Sequence, residues 1–154
     1  MRPRAHLIFG SIFALTCYFL LDVVGFNEAF IIWIASWIII DLDHAIRYSI
    51  KTGSFSPLKF WKWSQERHEE WKRIPHHKRR LRQHPIFILH GIEALVVLFL
   101  LGLKWDIFNW ILIGFIFHLI FDWINLYIEN ENISYKMSVI WVFWRNCGKK
   151  KFLW

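Results

Sequence analysis

The sequence FIIWIASWIIIDLDH, residues 30–44, contains both features that decide how this chain is interpreted. Its first eleven residues are apolar except for Ser36, and such a run in a chain that is 56% hydrophobic is typical of a membrane helix. Asp41, Asp43 and His44 follow at its end. An isolated carboxylate at membrane depth costs on the order of 3 kcal/mol. Two carboxylates beside an imidazole are good ligands for a divalent cation.

Three further apolar runs accompany this one. The predicted fold is all-α, an integral membrane bundle of four transmembrane helices, with spans at about 5–24, 29–48, 85–103 and 106–127. The first run lacks a convincing signal-peptide cleavage site, so we interpret it as a retained helix. The 154 residues form a single membrane domain, 1–154. The two cysteines do not indicate a disulfide framework.

The segments outside the predicted spans are basic and rich in tryptophan. In the basic loop, 49–83, Ser56 and Pro57 form a typical helix start. Lysine and tryptophan alternate after Pro57, which predicts an amphipathic helix on the membrane surface; a solvated linker is the alternative. The C-terminal tail, 135–154, is also predicted to be interfacial, because its three consecutive lysines would be attracted to anionic lipid.

The basic side chains also predict the orientation of the chain. Four spans put the N-terminus, the 47–83 segment and the tail on one side, and these contain 18 of the 19 Lys and Arg residues; Lys104 is the exception. The positive-inside rule assigns that side to the cytoplasm. We therefore predict a multi-pass protein of the cell (inner) membrane with both termini cytoplasmic.

Ligand-type side chains recur at one depth in all four predicted spans. A rise of about 1.5 Å per residue places Asp41, His118 and Asp122 roughly 17–23 Å from the outer edge of the hydrocarbon. The same rise places His90 about 9 Å from the inner edge. His6 opens the first span, although a lone histidine there is also common at a membrane interface. This agreement in depth predicts one shared site.

The spacing within the spans supports a shared site. His118 and Asp122 are four residues apart, and Asp41 and His44 are three apart, so each pair shares a helix face. A structural hydrogen bond between helices is the alternative for the first pair. Asp43 points elsewhere on an ideal helix, so either the helix unwinds there or Asp43 supports the ligands. No lysine or arginine lies in the spans beside Asp122, so we expect its countercharge to be an added cation.

These polar motifs resemble those of a known family. They are His6, the DLDH sequence at 41–44, the histidines His84 and His90, and His118 with Asp122. Together they resemble the YdjM/YbcI-type membrane-bound metal-dependent hydrolases of bacteria and archaea, over roughly residues 5–125. In that family proline stands where this chain has Ile40. Its third motif also contains an arginine and a hydroxyl that are absent here.

We therefore expect a membrane-embedded metal-dependent hydrolase that acts on a lipid phosphoester at the cytoplasmic leaflet. The cofactor would be one or two divalent transition-metal ions, with zinc favoured and manganese or iron as alternatives. The predicted metal ligands are Asp41, His44, His118 and Asp122 as first choices, then Asp43, His90 and His6. Glu93 or His84 would be the general base or acid. Arg47, Arg80 and Arg82 would bind the phosphate.

Two non-enzymatic classes remain as alternatives. A metal or proton carrier also has charged residues inside the membrane, but it needs polar residues towards the outer face, where these spans have few. A membrane anchor could recruit nucleic acid or a protein through the eleven basic residues of 47–83. Anionic lipid fits those residues as well, so the expected partners are membrane lipids and a lipid-like phosphorylated substrate, and nucleic acid is not favoured.

Overall fold

The computed structural model describes residues 3–79, 81–147 and 149. Helices form all the elements of this part of the chain, which confirms the all-α class. The α-helices are α1 Pro3–Leu20, α2 Phe26–Ile34, α3 Leu42–Thr52, α4 Pro57–Arg73, α5 His76–Arg79, α6 Ile92–Gly102, α7 Ile107–Ile128 and α8 Val139–Asn146. Ala35–Ile39 is a π-helix, and Ile88–His90 and Ile133–Lys136 are 3₁₀ turns.

Helix α7 lies at the centre of the fold. It packs against α1, α2, α6, the π-helix and the second 3₁₀ turn. Gly114 allows α7 to approach α2 closely, because a Cβ atom there would lie 2.7 Å from the Ile32 carbonyl oxygen and from the Ala35 Cβ. Phe115 and Leu119 of α7 are buried against Ala35. This packing directs one face of α7, including its polar residues, into the interior.

The second predicted span, 29–48, is not one regular helix. Helix α2 continues into the π-helix, and a turn at Ile40 and Asp41 separates it from α3. The predicted alternative in which the helix unwinds near Asp43 is therefore observed, with the break at Asp41. The Ser36 carbonyl in the π-helix accepts a hydrogen bond from His118 of α7, at 2.7 Å. Single π-helical turns of this kind are frequent at functional sites.

The third predicted span, 85–103, is wrong at its start, because α6 begins only at Ile92. Partners distant in sequence hold the preceding backbone out of a helix. The Leu89 N–H donates to Asp43 Oδ2 at 3.1 Å, and the Ile92 N–H donates to the Met137 carbonyl at 2.8 Å. Pro85 also disfavours a helical conformation for the residue before it.

Two helices of the described chain are long and apolar enough to cross a membrane. They are the nearly continuous helical stretch Phe26–Thr52 and α7, Ile107–Ile128. The first and third predicted spans correspond to the shorter apolar helices His6–Leu20 and Ile92–Gly102. Length and composition therefore support two of the four predicted spans, and the four-span bundle is not confirmed.

The basic loop forms the predicted helix. Ser56 Oγ accepts the N–H of Lys59 at 3.4 Å, and Pro57 is the first residue of α4. Ion pairs tie the end of this segment to the chain after α7: Lys72 Nζ lies 3.3 Å from Glu129, and Arg79 pairs with Glu131. Its predicted position on a membrane surface stays a prediction. The predicted tail contains α8, and residues 148 and 150–154 lie outside the described part.

Candidate metal centre

The structure brings all seven predicted metal ligands into one cluster. They are His6 of α1, Asp41 at the break after α2, Asp43 and His44 of α3, His90 of the first 3₁₀ turn, and His118 and Asp122 of α7. Three subsets have ligand atoms within 4.8 Å of one another and could hold a metal ion. These subsets are His6 with His118 and Asp122, Asp41 with His90 and His118, and Asp43 with His44 and His90.

Four of these side chains are joined by short nitrogen–oxygen distances, and we refer to Asp41, His90, His118 and Asp122 as the inner quartet. His90 Nε2 lies 3.3 Å from Asp41 Oδ1 and 3.8 Å from Asp122 Oδ2. His118 Nε2 lies 3.9 Å and 3.4 Å from the same two oxygens. Zinc bonds of about 2.1 Å in tetrahedral geometry separate neighbouring ligand atoms by about 3.4 Å. The four nitrogen–oxygen distances of the inner quartet are close to this spacing, and Asp41, His90 and His118 together form one of the three groups that could hold a metal ion.

Hydrogen bonds orient both histidines of the inner quartet. His118 Nδ1 faces the Ser36 carbonyl, which can only accept, so Nδ1 carries a proton and Nε2 is the nitrogen available to a metal ion. His90 Nδ1 lies 3.2 Å from Asp43 Oδ2, which favours the same tautomer. This pattern, in which one ring nitrogen bonds a carbonyl or carboxylate and the other binds metal, is typical of metal-ligating histidines.

The other ring nitrogen of each histidine has no hydrogen bond. Both His90 and His118 are about 1% exposed, and neither Nε2 atom finds a hydrogen-bond partner among the described residues. Buried polar atoms of this kind are uncommon because they lose their bonds to water without replacement. A cation bound by these two nitrogens and Asp41 would satisfy both, so the residues present fit a divalent metal ion.

Asp43 supports the inner quartet. Its Oδ2 atom accepts from the Leu89 backbone and contacts His90, so it fixes the 3₁₀ turn and the imidazole together. Asp43 therefore has the contacts expected of a supporting residue, and the helix is also broken at Asp41. A carboxylate in this position also makes the imidazole a better ligand.

His6 and His44 each lie beside one carboxylate of the inner quartet, His6 beside Asp122 and His44 beside Asp41. The His6 ring stacks on His118 with 4.0 Å between centroids, and its Nε2 lies 3.4 Å from Asp122 Oδ1. His44 Nε2 lies 3.7 Å from Asp41 Oδ1. His6 is buried, whereas about 26% of the His44 side chain is exposed. His90 thus occupies the inner position that sequence reasoning gave to His44.

Lys136 is a member of the cluster that sequence reasoning missed. Its Nζ atom lies 2.5 Å from Asp122 Oδ2, so the expectation that Asp122 has no basic neighbour from this chain is wrong. The segment is held in place by Trp123 Nε1, which donates to the Lys136 carbonyl at 3.3 Å. The available signal is a single charged residue, Lys136, near the start of the apolar part of the tail, 135–144, which the sequence predicts to lie on the membrane surface.

Glu93 is not brought to the cluster. Its carboxylate accepts from Ser138 Oγ at 2.5 Å and from the backbone N–H groups of Val139 and Ile140 at 3.0 and 3.2 Å. These bonds satisfy the first N–H groups of α8, as a capping residue does. The predicted role of Glu93 as a general base or acid is therefore not supported, because its oxygens have a structural function.

His84 is also placed away from the cluster. Its backbone exchanges two hydrogen bonds with the Asn146 side chain, at 2.8 and 2.9 Å, and its ring contacts Trp71 edge-on. Burial, together with the positive charges of Lys149 and Arg145, lowers the pKa of His84 to about 3. A neutral histidine with this pKa is a poor general acid or base at neutral pH, so the structure does not support that role either.

The three arginines predicted to bind phosphate differ in their position relative to the cluster. The Arg47 guanidinium lies 5.8 Å from the centre of the Phe87 ring, and Phe87 contacts His44 with 3.8 Å between ring centroids. Arg47 is therefore at the edge of the cluster. The Arg82 N–H donates to the Arg79 carbonyl, and no described contact joins Arg82 to the cluster. Arg80 lies outside the described residues.

Comparison with protein-family models, with curated proteins and with solved structures gives no match for this chain. The resemblance to YdjM/YbcI-type hydrolases therefore stays a prediction based on the motifs. What the structure adds is independent of that resemblance: side chains from four separate segments form a cluster that contains three groups able to hold a metal ion.

Proposed function

We propose that this protein is a membrane-embedded metal-dependent hydrolase that acts on a lipid phosphoester at the cytoplasmic leaflet. The observation that carries the proposal is the inner quartet. It joins two buried imidazole nitrogens without hydrogen bonds to two carboxylate oxygens, at 3.3–3.9 Å. Imidazole and carboxylate ligands suit zinc, with manganese and iron as alternatives.

The charge around Asp41 supports a metal ion. The ion-pair partners of its carboxylate among the described residues are the imidazoles of His44, His90 and His118. A buried carboxylate needs a compensating positive charge. Either one of these histidines is protonated, in which case the cluster is a structural charge network, or a metal cation supplies the charge. The Ser36 carbonyl holds His118 Nδ1 and directs Nε2 towards the carboxylates, which is the orientation that the second arrangement requires.

The uncovered apolar surface supports a membrane location. Only 28% of the most apolar window of each long helix is buried within the protein, whereas the core helix of a soluble protein is mostly buried. Exposed large side chains extend over α1 and α2 as well, including Phe19 and Phe26 at 75% and 74% exposure. Soluble monomers rarely expose apolar surface on this scale. Lipid would cover it, with α1 and α6 as the two shorter spans.

The chemistry follows from the groups around the inner quartet. A divalent ion held there would polarise a phosphoryl oxygen and lower the pKa of a water molecule. His44 is the partly exposed imidazole beside Asp41, so we assign it the proton-accepting role that Glu93 and His84 do not fit. Arg47, whose guanidinium lies 5.8 Å from the centre of the Phe87 ring that contacts His44, would bind the phosphate of the substrate.

Paired substitutions test this proposal. His118→Ala and Asp41→Asn should each remove bound zinc and abolish hydrolysis of phosphatidate in mixed micelles. His68→Ala and Asp106→Asn are matched controls, since neither residue belongs to the cluster, and both should retain metal and activity. Metal content is measured by mass spectrometry after purification without chelators. Full metal content in both cluster variants would contradict the metal site, and zinc-loaded protein without activity would contradict the hydrolase.

A further inference from the structure

Lys136 occupies a position that a metal ion would need. Its ammonium contacts Asp122 Oδ2 at 2.5 Å, and this is the oxygen that also faces His118 Nε2 at 3.4 Å and His90 Nε2 at 3.8 Å. The ammonium therefore contacts the Asp122 oxygen that faces both histidines of the inner quartet. An ammonium and a divalent ion close to one oxygen repel each other strongly in a buried site.

Hydrogen bonds hold the backbone at Lys136 in place, whereas its side chain lies next to a small cavity. Trp123 Nε1 holds the Lys136 carbonyl, and the next carbonyl, of Met137, accepts the Ile92 N–H at 2.8 Å. Next to the cluster is a small cavity whose lining includes Phe87, His90 and Lys136. The lysine stem has four flexible methylene groups, and Lys136 itself lines this cavity, so a change of side-chain rotamer would turn the ammonium towards it.

We propose that Lys136 is the built-in counter-ion of the metal-free state and that it leaves Asp122 for the neighbouring cavity when a divalent ion binds. This inference rests on the metal site of the proposed function. It makes Lys136 an internal competitor that lowers the metal affinity of the site. In the cavity the ammonium faces any anionic group that approaches the inner quartet past Phe87, so the same residue would help to bind a phosphate.

Zinc affinity measured with zinc alone tests the competition. Lys136→Met should bind zinc at least about tenfold more tightly than the wild type, because a positive charge beside the site is removed while the apolar stem is kept. Lys72→Met is the matched control, since Lys72 also pairs with a carboxylate, that of Glu129, but outside the cluster. Its zinc affinity should equal that of the wild type. A competing chelating dye provides the measurement.

The outcomes separate this inference from the proposed function. Equal or weaker zinc binding by Lys136→Met, with zinc bound by the wild type, would overturn the inference and leave the metal site intact. Zinc binding by neither protein would overturn both.

A second measurement uses the wild-type protein, so it does not require that any variant folds. Acetylation of Lys136 in the wild type, followed by peptide mass spectrometry, should become several-fold faster when zinc is added, because the ammonium leaves its ion pair. Lys72 should acetylate at an unchanged rate. A Lys136 rate that stays the same or falls on addition of zinc would overturn the inference.

Discussion

At the scale of single residues, one backbone carbonyl and one carboxylate orient the two histidines of the inner quartet. The Ser36 carbonyl fixes His118 and the Asp43 carboxylate fixes His90, and each bond directs Nε2 at the inner quartet. The His44 ring packs against Phe87 instead, with its Nε2 3.7 Å from Asp41 Oδ1. Sequence spacing identified all these residues, but it could not rank them, because the ranking depends on partners 47 to 82 positions away in the chain.

The ranking of the two histidines can be tested directly. His90→Ala should lower zinc affinity by more than about 100-fold because it removes an inner ligand, whereas His44→Ala should lower it by about tenfold or less, as expected for an outer group. His44→Ala should still lose most hydrolysis. Zinc titration of the two variants, with an activity assay on the zinc-loaded His44→Ala protein, gives the comparison. A larger loss of zinc affinity in His44→Ala than in His90→Ala would instead support His44 as the first-choice ligand, as predicted from the sequence.

At the scale of elements, predictions succeeded where local pattern determines structure. The apolar run predicted at 106–127 is α7, Ile107–Ile128, and the serine–proline signal correctly predicted the start of α4. The start of α6 could not be predicted, because the N–H groups of Leu89 and Ile92 bond to Asp43 and to Met137, and neither partner is near in sequence. The position of Lys136 depends on the same kind of tertiary contact.

The break after α2 shows how an element serves the site. A regular helix through 29–48 would engage the Ser36 carbonyl in its own hydrogen-bond ladder and would turn Asp43 away from Asp41. In the structure Ser36 lies in the π-helix and bonds His118, and Asp43 follows the turn at Asp41 and contacts His90. The sequence predicts either an unwound helix near Asp43 or a supporting role for Asp43, and the structure has both features.

At the scale of the whole molecule, the distribution of basic residues predicts both termini and the 47–83 segment on the cytoplasmic side. Cys147 is exposed near the C-terminus, and Gln65 is exposed on α4. In right-side-out vesicles an impermeant thiol reagent should therefore label neither Cys147 nor a cysteine introduced by Gln65→Cys, and it should label both after permeabilisation. Cys147→Ser with Gln65→Cys isolates the second position. Labelling of either site in intact vesicles would contradict the orientation.

The central claim is that four segments of one chain converge on a metal ion. X-ray absorption at the zinc edge of the zinc-loaded wild-type protein tests it most directly. We predict one zinc per chain with about four nitrogen or oxygen ligands at about 2.0–2.1 Å, outer-shell scattering from two imidazoles, and no sulfur. Failure to load zinc stoichiometrically, a sulfur ligand, or the absence of imidazole scattering would contradict the account.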